Sequence, residues 1–220
     1  MSPVSNQDSW IGLDESGKGD YFGPLVVAGV QVDPELSAQL VTWGVKDSKR
    51  LTDKRILELE PKIREACRYA VVAIGPERYN ALYEKMRNLN KLLAWAHART
   101  LENLLSETES PRAIADQFGD ERFIKNALME KGRQIELEQR PRAEEDPAVA
   151  AASILARAEF LKRLKRLSEE HRLDLPKGAS DQVRAAAVKL VKERSVEVLR
   201  KVAKWHFRTT QQVLQECSPR

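Results

Sequence analysis

The segment WIGLDESGKGDYFGPLVVAGVQV, residues 10–32, constrains the fold more than any other part of the chain. Residues 10–14 are predicted to form a short strand, and residues 25–32 form an apolar run rich in β-branched residues, which is typical of a buried strand. Glycines and a proline lie between the two runs, which indicates a turn. The pattern therefore predicts a hairpin of core strands, with Asp14 and Glu15 at the end of the first strand.

The rest of the chain alternates strands and helices and then becomes helical. Further strands are predicted at residues 69–74, 112–116 and 134–138. Helices are predicted at residues 34–43, 54–68, 76–86, 90–105, 121–131 and 148–167, with two or three more after residue 178. Thr52 is predicted to cap the second helix, and Pro61 predicts a kink or break in it. This order predicts an α/β fold with a mixed central sheet flanked by helices and a helical C-terminal part.

The composition predicts one soluble globular domain over residues 1–220, with the sheet and core helices in about 10–160 and basic helices in about 161–220. Residues 150–220 contain 16 Lys and Arg against 8 Asp and Glu. This excess indicates a polyanionic partner, although solvated amphipathic helices carry the same charges.

Several sequence features favour a cytoplasmic protein that does not bind membranes. No apolar run approaches the roughly 20 residues needed to cross a bilayer, and the first ten residues lack the basic start and apolar core of a signal peptide. Cys67 and Cys217 are isolated and have no metal-ligand spacing.

The motif G-x-x-x-x-G-K at residues 12–18 is one residue short of a phosphate-binding loop. That signature requires Ser or Thr after the Lys, and a helix that begins there. Here Gly19 follows, the chain continues into a strand, and Asp14 and Glu15 would repel a phosphate. The sequence therefore argues against a nucleotide loop. The glycines fit either a close approach of the backbone to a bulky partner or a plain tight turn.

Acidic residues recur at strand ends and beside a helix start. Asp14 and Glu15 end the first strand, Asp116 ends the strand RAIAD, and three consecutive acids at 144–146 precede the long helix. Carboxylates without a Cys or His cluster favour a hard cation such as Mg²⁺ or Mn²⁺. Several carboxylates around two such ions are a common arrangement for phosphodiester hydrolysis.

The geometry of a strand limits how two adjacent acids can share a centre. Successive side chains point to opposite faces. Asp14 and Glu15 therefore reach one metal centre only if Glu15 also uses its backbone carbonyl or if the strand bends. The simpler alternative for an Asp-Glu pair before a turn is a solvated loop.

The segment GLDESGKGDYFGPLVVAGV resembles the opening motif of the type 2 ribonucleases H, and of ribonuclease HIII in particular. Five further segments resemble that family in the same order over nearly the whole chain: VKDSKRLTDKR (45–55), AIADQFG (113–119), RAEEDPAVAAASILARAEFL (142–161), LPKGASDQV (175–183) and KWHFRTT (204–210).

The resemblance implies a ribonuclease H-like fold and an endonuclease that cleaves the RNA of RNA–DNA hybrids with two Mg²⁺ or Mn²⁺ ions, leaving a 5′-phosphate and a 3′-hydroxyl. It implies catalytic, metal-binding carboxylates at Asp14, Glu15, Asp116 and Glu144. The spacing from the fourth acid to the next helix is one residue shorter than in the family pattern. Glu145 and Asp146 are therefore alternatives to Glu144.

The resemblance also implies substrate-binding residues. A Gly-basic-Gly element in this family reads ribose 2′-hydroxyls, which separate RNA from DNA. The residues implied are Gly17, Lys18, Gly19, Ser48, Lys49 and Lys177. For Ser48 and Lys49 a helix-entry loop is the plain alternative. His97 is expected to lie at the surface or to be hydrogen-bonded, without a catalytic role.

Two departures from the family pattern affect substrate binding. Only nine residues precede the first strand, so we expect the N-terminal substrate-binding domain of ribonuclease HIII to be absent from this monomeric protein. Hybrid affinity would then rely on basic C-terminal helices, with candidate phosphate contacts at Arg157, Lys162, Arg163, Lys165 and Arg166.

The second departure concerns single ribonucleotides. Ribonuclease HII has a Tyr after its Lys-Gly, whereas Ala179 stands there in this chain. We therefore expect poor cleavage at single embedded ribonucleotides. The alternative functions are junction cleavage like that of ribonuclease HII, or non-catalytic hybrid binding.

Overall fold

The computed structural model describes residues 8–218, which fall into two compact units. The first unit comprises residues 8–16 together with Val26–Val72 and Asn88–Ala158. The second comprises Gly17–Leu25, Ala73–Arg87 and the described part of Glu159–Arg220. The sheet lies almost entirely in the first unit, and the C-terminal helices lie in the second.

Five strands of the described chain form one sheet: β1 Trp10–Ser16, β2 Leu25–Val32, β3 Arg68–Ile74, β4 Arg112–Asp116 and β5 Glu136–Arg140. The strand order is β3-β2-β1-β4-β5, which places β1 at the centre. β1 is antiparallel to β2 and parallel to β4, and β4 is parallel to β5. The predicted mixed sheet is confirmed, and the first two strands pair as the hairpin prediction requires.

The α-helices of the described residues are α1 Pro34–Thr42, α2 Asp53–Ala66, α3 Pro76–Met86, α4 Leu89–Leu105, α5 Glu121–Ala127, α6 Pro147–His171, α7 Asp181–Glu193, α8 Glu197–Val202 and α9 Arg208–Cys217. The Thr52 side chain accepts the N–H of Arg55, so the predicted cap of α2 is confirmed. Short 3₁₀ turns at Ser48–Arg50 and Ala143–Glu145 carry predicted site residues.

α2 continues through Pro61, so the predicted break there was wrong. Pro61 cannot donate to the carbonyl of Leu57 one turn earlier. Both residues are exposed, so water can satisfy that carbonyl. The opposite face of the helix is held by buried Ile56, Leu59 and Ile63.

Two predicted element boundaries were also wrong. α5 ends at Ala127 instead of residue 131, because the chain bends around the Glu102 carboxylate. That carboxylate accepts the N–H groups of Lys131 and Gly132 at 3.0–3.1 Å. β5 begins at Glu136, two residues later than predicted, after a 3₁₀ turn at Gly132–Gln134.

Gly12 in the centre of β1 lets the start of α6 approach the sheet closely. A Cβ atom at this position would overlap with the backbone of Ala148 and Val149. The alanines that follow in α6 are buried. Small residues on both elements therefore bring the helix directly beneath the end of the central strand. None of the helices within residues 8–218 combines the length and apolar character needed to span a membrane.

Candidate active site at the ends of two parallel strands

Asp14 and Asp116 lie side by side at the carboxyl ends of neighbouring strands. β1 and β4 are parallel, with Leu13 opposite Ala115, so the next residue of each strand is an aspartate. Residues paired across parallel strands share a face of the sheet. The sequence predicted an acid at the end of each of these strands, and this register sets the two strand ends side by side.

Asp14 is a buried carboxylate, 6% exposed, that points towards α6. Its Oδ1 accepts the N–H of Glu15 at 2.8 Å, and its side chain hydrogen-bonds Ser153 of α6. Burial, and then the negative charge of Glu15, raise the pKa of Asp14 well above its ordinary range. Its hydrogen bonds and the charge of Lys49 act in the opposite direction.

Ser153 joins Asp14 to the predicted substrate-binding residue Ser48. Its hydroxyl lies 2.6 Å from that of Ser48 and accepts the Ser48 N–H at 3.3 Å. Asp47, one residue earlier, caps the same turn by accepting the N–H of Lys49 at 3.1 Å. The Asp-Ser-Lys segment is thus tied to the helix beneath Asp14.

Glu15 points away from Asp14 and contacts α4 on the other side of the strand. Its Oε2 lies 3.1 Å from Nε2 of His97, whose side chain is completely buried. The expectation that His97 lies at the surface or is hydrogen-bonded is met by this contact, although its Nδ1 has no hydrogen-bond partner in the described structure. The sequence gives no local signal for this contact, which joins residues 82 positions apart.

Asp116 shares its surroundings with Glu144. Its Oδ1 accepts the N–H of Ala143 at 3.2 Å, which holds the 3₁₀ turn carrying Glu144 against the end of β4. Burial raises the pKa of Asp116, and the charges of Glu144 and Glu15 act in the same direction. Backbone N–H donors oppose this shift. Asp116 is thus close enough to Glu144 and to Glu15 for each of them to repel it.

Asp146 has a structural role that Glu144 and Glu145 do not share. Its carboxylate accepts the indole N–H of Trp10 at 3.0 and 3.1 Å. It also accepts the N–H of Ala148 at 2.8 Å and that of Val149 at 3.4 Å, as an N-cap of α6 does. Glu145 is exposed, whereas Glu144 is half-buried.

Lys49 is the cation that faces this group of carboxylates. Burial acts to lower its pKa, but the negative charges of Asp47, Asp14, Asp116 and Glu144 outweigh it and raise that pKa. One ammonium group therefore interacts with three of the four predicted catalytic acids. Because they share this partner, the carboxylates of Asp14, Asp116 and Glu144 lie close to one another.

The side-chain oxygen atoms of this group of carboxylates suit a hard divalent cation. Its oxygen atoms belong to carboxylates, and buried carboxylates that repel one another are stabilised by a nearby positive charge. Among residues 8–218, however, no group of three or more His, Cys, Asp and Glu side chains is arranged so that it could hold a metal ion. Asp14 points towards Ser153 and Glu15 towards His97, so metal binding requires side-chain rotation.

In the second unit, the predicted substrate-binding turn is hydrogen-bonded to the predicted Lys-Gly segment. The Asp20 carboxylate accepts the N–H of Gly178 at 2.7 Å, and the carbonyl of Gly178 accepts the N–H of Tyr21 at 2.8 Å. Gly17 has φ +88° and a Cβ there would overlap with the carbonyl of Pro24, so the turn requires glycine. Gly19 is exposed and faces open space.

Lys204 supports the same turn from inside the unit. Its side chain is completely buried, and its Nζ donates to the carbonyls of Asp20 at 2.7 Å and Gly23 at 2.9 Å. Burial lowers the pKa of Lys204 to about 7, although the Asp20 charge acts in the opposite direction. No role for Lys204 was predicted, because a lysine in a basic segment is usually exposed at the surface.

The basic residues of α6 are largely paired with acids one turn away. Arg163 lies 2.6 Å from Glu159, Arg166 lies 2.8 Å from Glu170, and Lys165 lies 3.8 Å from Glu169. Arg157 lies 3.5 Å from Asp53, and Lys162 is exposed. The predicted phosphate contacts thus belong to a helix of alternating charge, which favours the plain interpretation of a solvated face.

The comparisons with known proteins each match nearly the whole length of this chain. The sequence profile of the family Ribonuclease HII matches residues 11–210. The chain is 46% identical to Ribonuclease HIII of Protochlamydia amoebophila over 204 residues, covering 93% of this chain and 68% of that protein. It is 45% identical to Ribonuclease HIII of Chlamydia pneumoniae, covering 92% and 69%.

A solved structure agrees with these relatives. The crystal structure of Bst-RNase HIII in complex with Mn²⁺ superposes with a TM-score of 0.88 at 35% identity, covering 98% of this chain and 72% of that one. This likeness confirms the predicted ribonuclease H-like α/β fold.

Proposed function

This chain belongs to the ribonuclease HII family, which includes the ribonucleases HIII that match 92% or more of its length, and we propose that it is an endonuclease that hydrolyses the RNA strand of RNA–DNA hybrids. The enzyme depends on a divalent metal ion, Mg²⁺ or Mn²⁺. The observation that carries this proposal is the pair of aspartates at the ends of parallel β1 and β4, which share Lys49 with Glu144.

We assign the metal-binding role to Asp14, Glu15, Asp116 and Glu144. Bound divalent ions activate the attacking water and stabilise the leaving 3′-oxygen in phosphodiester hydrolysis. In the described arrangement the N–H of Glu15 and the hydroxyl of Ser153 hold Asp14, and the N–H of Ala143 holds Asp116. Lys49 balances part of their negative charge.

Among the three consecutive acids, the contacts favour Glu144 as the fourth ligand. Asp146 is occupied by Trp10 and by the first N–H groups of α6. Glu145 is exposed. Glu144 is half-buried and acts on the pKa values of both Asp116 and Lys49.

For the substrate, we assign recognition of the ribose 2′-hydroxyl to the turn Gly17–Lys18–Gly19, with Lys177, Ser48 and Lys49 as phosphate or sugar contacts. The exposed backbone of Gly19 has no side chain to block a sugar. We further propose that the protein acts on hybrids as a monomer in the cytoplasm.

A labelled hybrid, a double-stranded RNA and a duplex with one ribonucleotide, each with Mg²⁺, Mn²⁺ or chelator, test this function. We expect the enzyme to cleave the hybrid but not the double-stranded RNA, and to leave a 5′-phosphate on the product. The chelator should abolish this cleavage. Asp116→Asn should lower the rate by at least about 100-fold, whereas Glu121→Gln, an exposed acid in α5, should not. Cleavage of the hybrid in excess chelator would refute the mechanism.

A further inference from the structure

We propose that Asp20 is a positioning residue that holds the turn Gly17–Lys18–Gly19 and Lys177 in one fixed arrangement, and that this arrangement makes the protein prefer an RNA–DNA hybrid over a DNA duplex. The inference rests on the proposed function, because it assumes that these two segments bind the hybrid. Asp20 follows the turn directly. It ties the turn to two other segments of the second unit.

Asp20 makes hydrogen bonds with its backbone N–H, its backbone carbonyl and its side chain. The N–H donates to the carbonyl of Gly17 at 3.3 Å, which closes the turn. The carbonyl accepts a hydrogen bond from Nζ of the buried Lys204 at 2.7 Å. The carboxylate accepts the N–H of Gly178 at 2.7 Å, across 158 positions of the chain. One residue therefore links the turn, the Lys-Gly segment and the buried lysine.

Gly178 is held to the turn through both of its backbone polar groups. Its N–H donates to the Asp20 carboxylate, and its carbonyl accepts the N–H of Tyr21 at 2.8 Å. Its φ of +84° lies in the left-handed region, which glycine adopts without a steric penalty. Because Lys177 is the preceding residue, these two hydrogen bonds fix where its backbone lies relative to the turn.

The negative charge of Asp20 argues against a direct contact with the substrate, because a carboxylate repels the phosphate groups of a nucleic acid. In this structure the carboxylate accepts a backbone N–H, and its charge is attracted to the ammonium group of Lys204. The charge is thus partly balanced within the protein. The contacts therefore assign Asp20 to holding the backbone of the protein itself.

A fixed arrangement of these segments provides a way to distinguish RNA from DNA. The 2′-hydroxyl separates the two sugars, and phosphate contacts set the register of a duplex on a protein. The turn meets a 2′-hydroxyl only if the neighbouring phosphate contacts hold the strand in the matching register. Loss of the hydrogen bond between Asp20 and Gly178 should therefore weaken binding of a hybrid more than binding of a DNA duplex, which has no 2′-hydroxyls.

The test measures the Kd of the full chain for a labelled hybrid and for a DNA duplex of the same sequence, by fluorescence anisotropy in excess chelator at low salt. Asp20→Ala removes the acceptor of the Gly178 N–H. Asp20→Asn keeps an acceptor oxygen at the same reach and removes the charge. Asp174→Ala, at an exposed acid of the same unit, is the matched control for charge. Thermal unfolding shows whether each variant is folded.

We expect Asp20→Ala to raise the Kd for the hybrid about 3- to 10-fold, the effect of one lost hydrogen bond, and to change the Kd for the DNA duplex less than about 2-fold. Asp20→Asn and Asp174→Ala should keep the preference of the wild type for the hybrid. An unchanged preference in folded Asp20→Ala, or an equal loss of preference in Asp20→Ala and Asp20→Asn, would overturn the proposal.

If Asp20→Ala does not fold, Asp20→Ser takes its place with the same expectation, because the shorter side chain of serine falls short of Gly178. Binding is measured without cleavage, so the two proposals fail in different ways. A wild type that prefers the hybrid but does not cleave it would count against the proposed function and not against Asp20. A wild type without any preference for the hybrid would overturn the role of Asp20.

Discussion

The buried Lys204 makes the stability of this protein depend on pH in a way that one substitution removes. In the folded chain burial lowers its pKa from the ordinary 10.5 to about 7. In the unfolded chain the same amine is solvated and titrates near its ordinary value. Between pH 7 and pH 10.5 the unfolded state therefore binds more protons at this site than the folded state.

The sign and size of the effect follow from linkage. Stability rises with pH wherever the unfolded state binds more protons. The contribution of Lys204 is fully present above its unfolded pKa and is lost as the pH falls towards 7. With these two pKa values, this group alone should raise the free energy of unfolding by roughly 2 to 3 kcal/mol between pH 6 and pH 9.

The assay is urea unfolding of the wild type and Lys204→Met at pH 6, 7, 8 and 9. The variant loses both donated hydrogen bonds to Asp20 and Gly23, but it no longer buries a charge. The stability difference in favour of the wild type should therefore grow by roughly 2 to 3 kcal/mol from pH 6 to pH 9. Lys201→Met, an exposed lysine in α8, is the control and should give a constant difference. A difference that does not change with pH for Lys204→Met would refute the buried-charge argument.

Three further predictions concern the site and its surroundings. Gly12→Ala should destabilise the fold by about 1–3 kcal/mol in urea unfolding, because the new Cβ meets helix backbone that cannot rotate away; an unchanged midpoint would show that α6 can shift. Glu144→Gln should abolish hybrid cleavage in a fixed-time gel assay, while Glu145→Gln retains it; the reverse result would exchange their roles. Asp146→Ala should keep most of the cleavage rate but lower stability by about 1 kcal/mol, seen as a lower melting temperature, because Asp146 caps α6; loss of cleavage in a stable variant would make Asp146 the fourth ligand.

The sequence predicted the site best where an acidic residue follows directly on a recognisable strand or helix pattern. Strand patterns placed Asp14 and Asp116 each at the end of a strand, and the parallel register of β1 and β4 brings those two ends together. The alternation of side chains along a strand also anticipated that Asp14 and Glu15 would diverge. The i to i+4 pairing of Glu159 with Arg163 was available from spacing alone.

The contacts that the sequence did not reveal are distant along the chain or depend on tertiary structure. His97 meets Glu15 across 82 residues, and Lys204 meets Asp20 across 184. No helical or strand periodicity signals such a pairing, because periodicity describes only which face of an element is buried. The helix likewise continued through Pro61 because packing on its buried face outweighed a local preference.

The raised pKa of Asp14 has a consequence for how the protein exchanges protons with its solution. A buried carboxylate beside Glu15 keeps a proton at pH values at which an ordinary aspartate has lost it. A divalent ion needs the deprotonated form, so metal uptake should release hydrogen ions into the medium. The heat of uptake should then differ between phosphate-free buffers of low and high ionisation enthalpy, and Asp14→Asn should remove part of that difference.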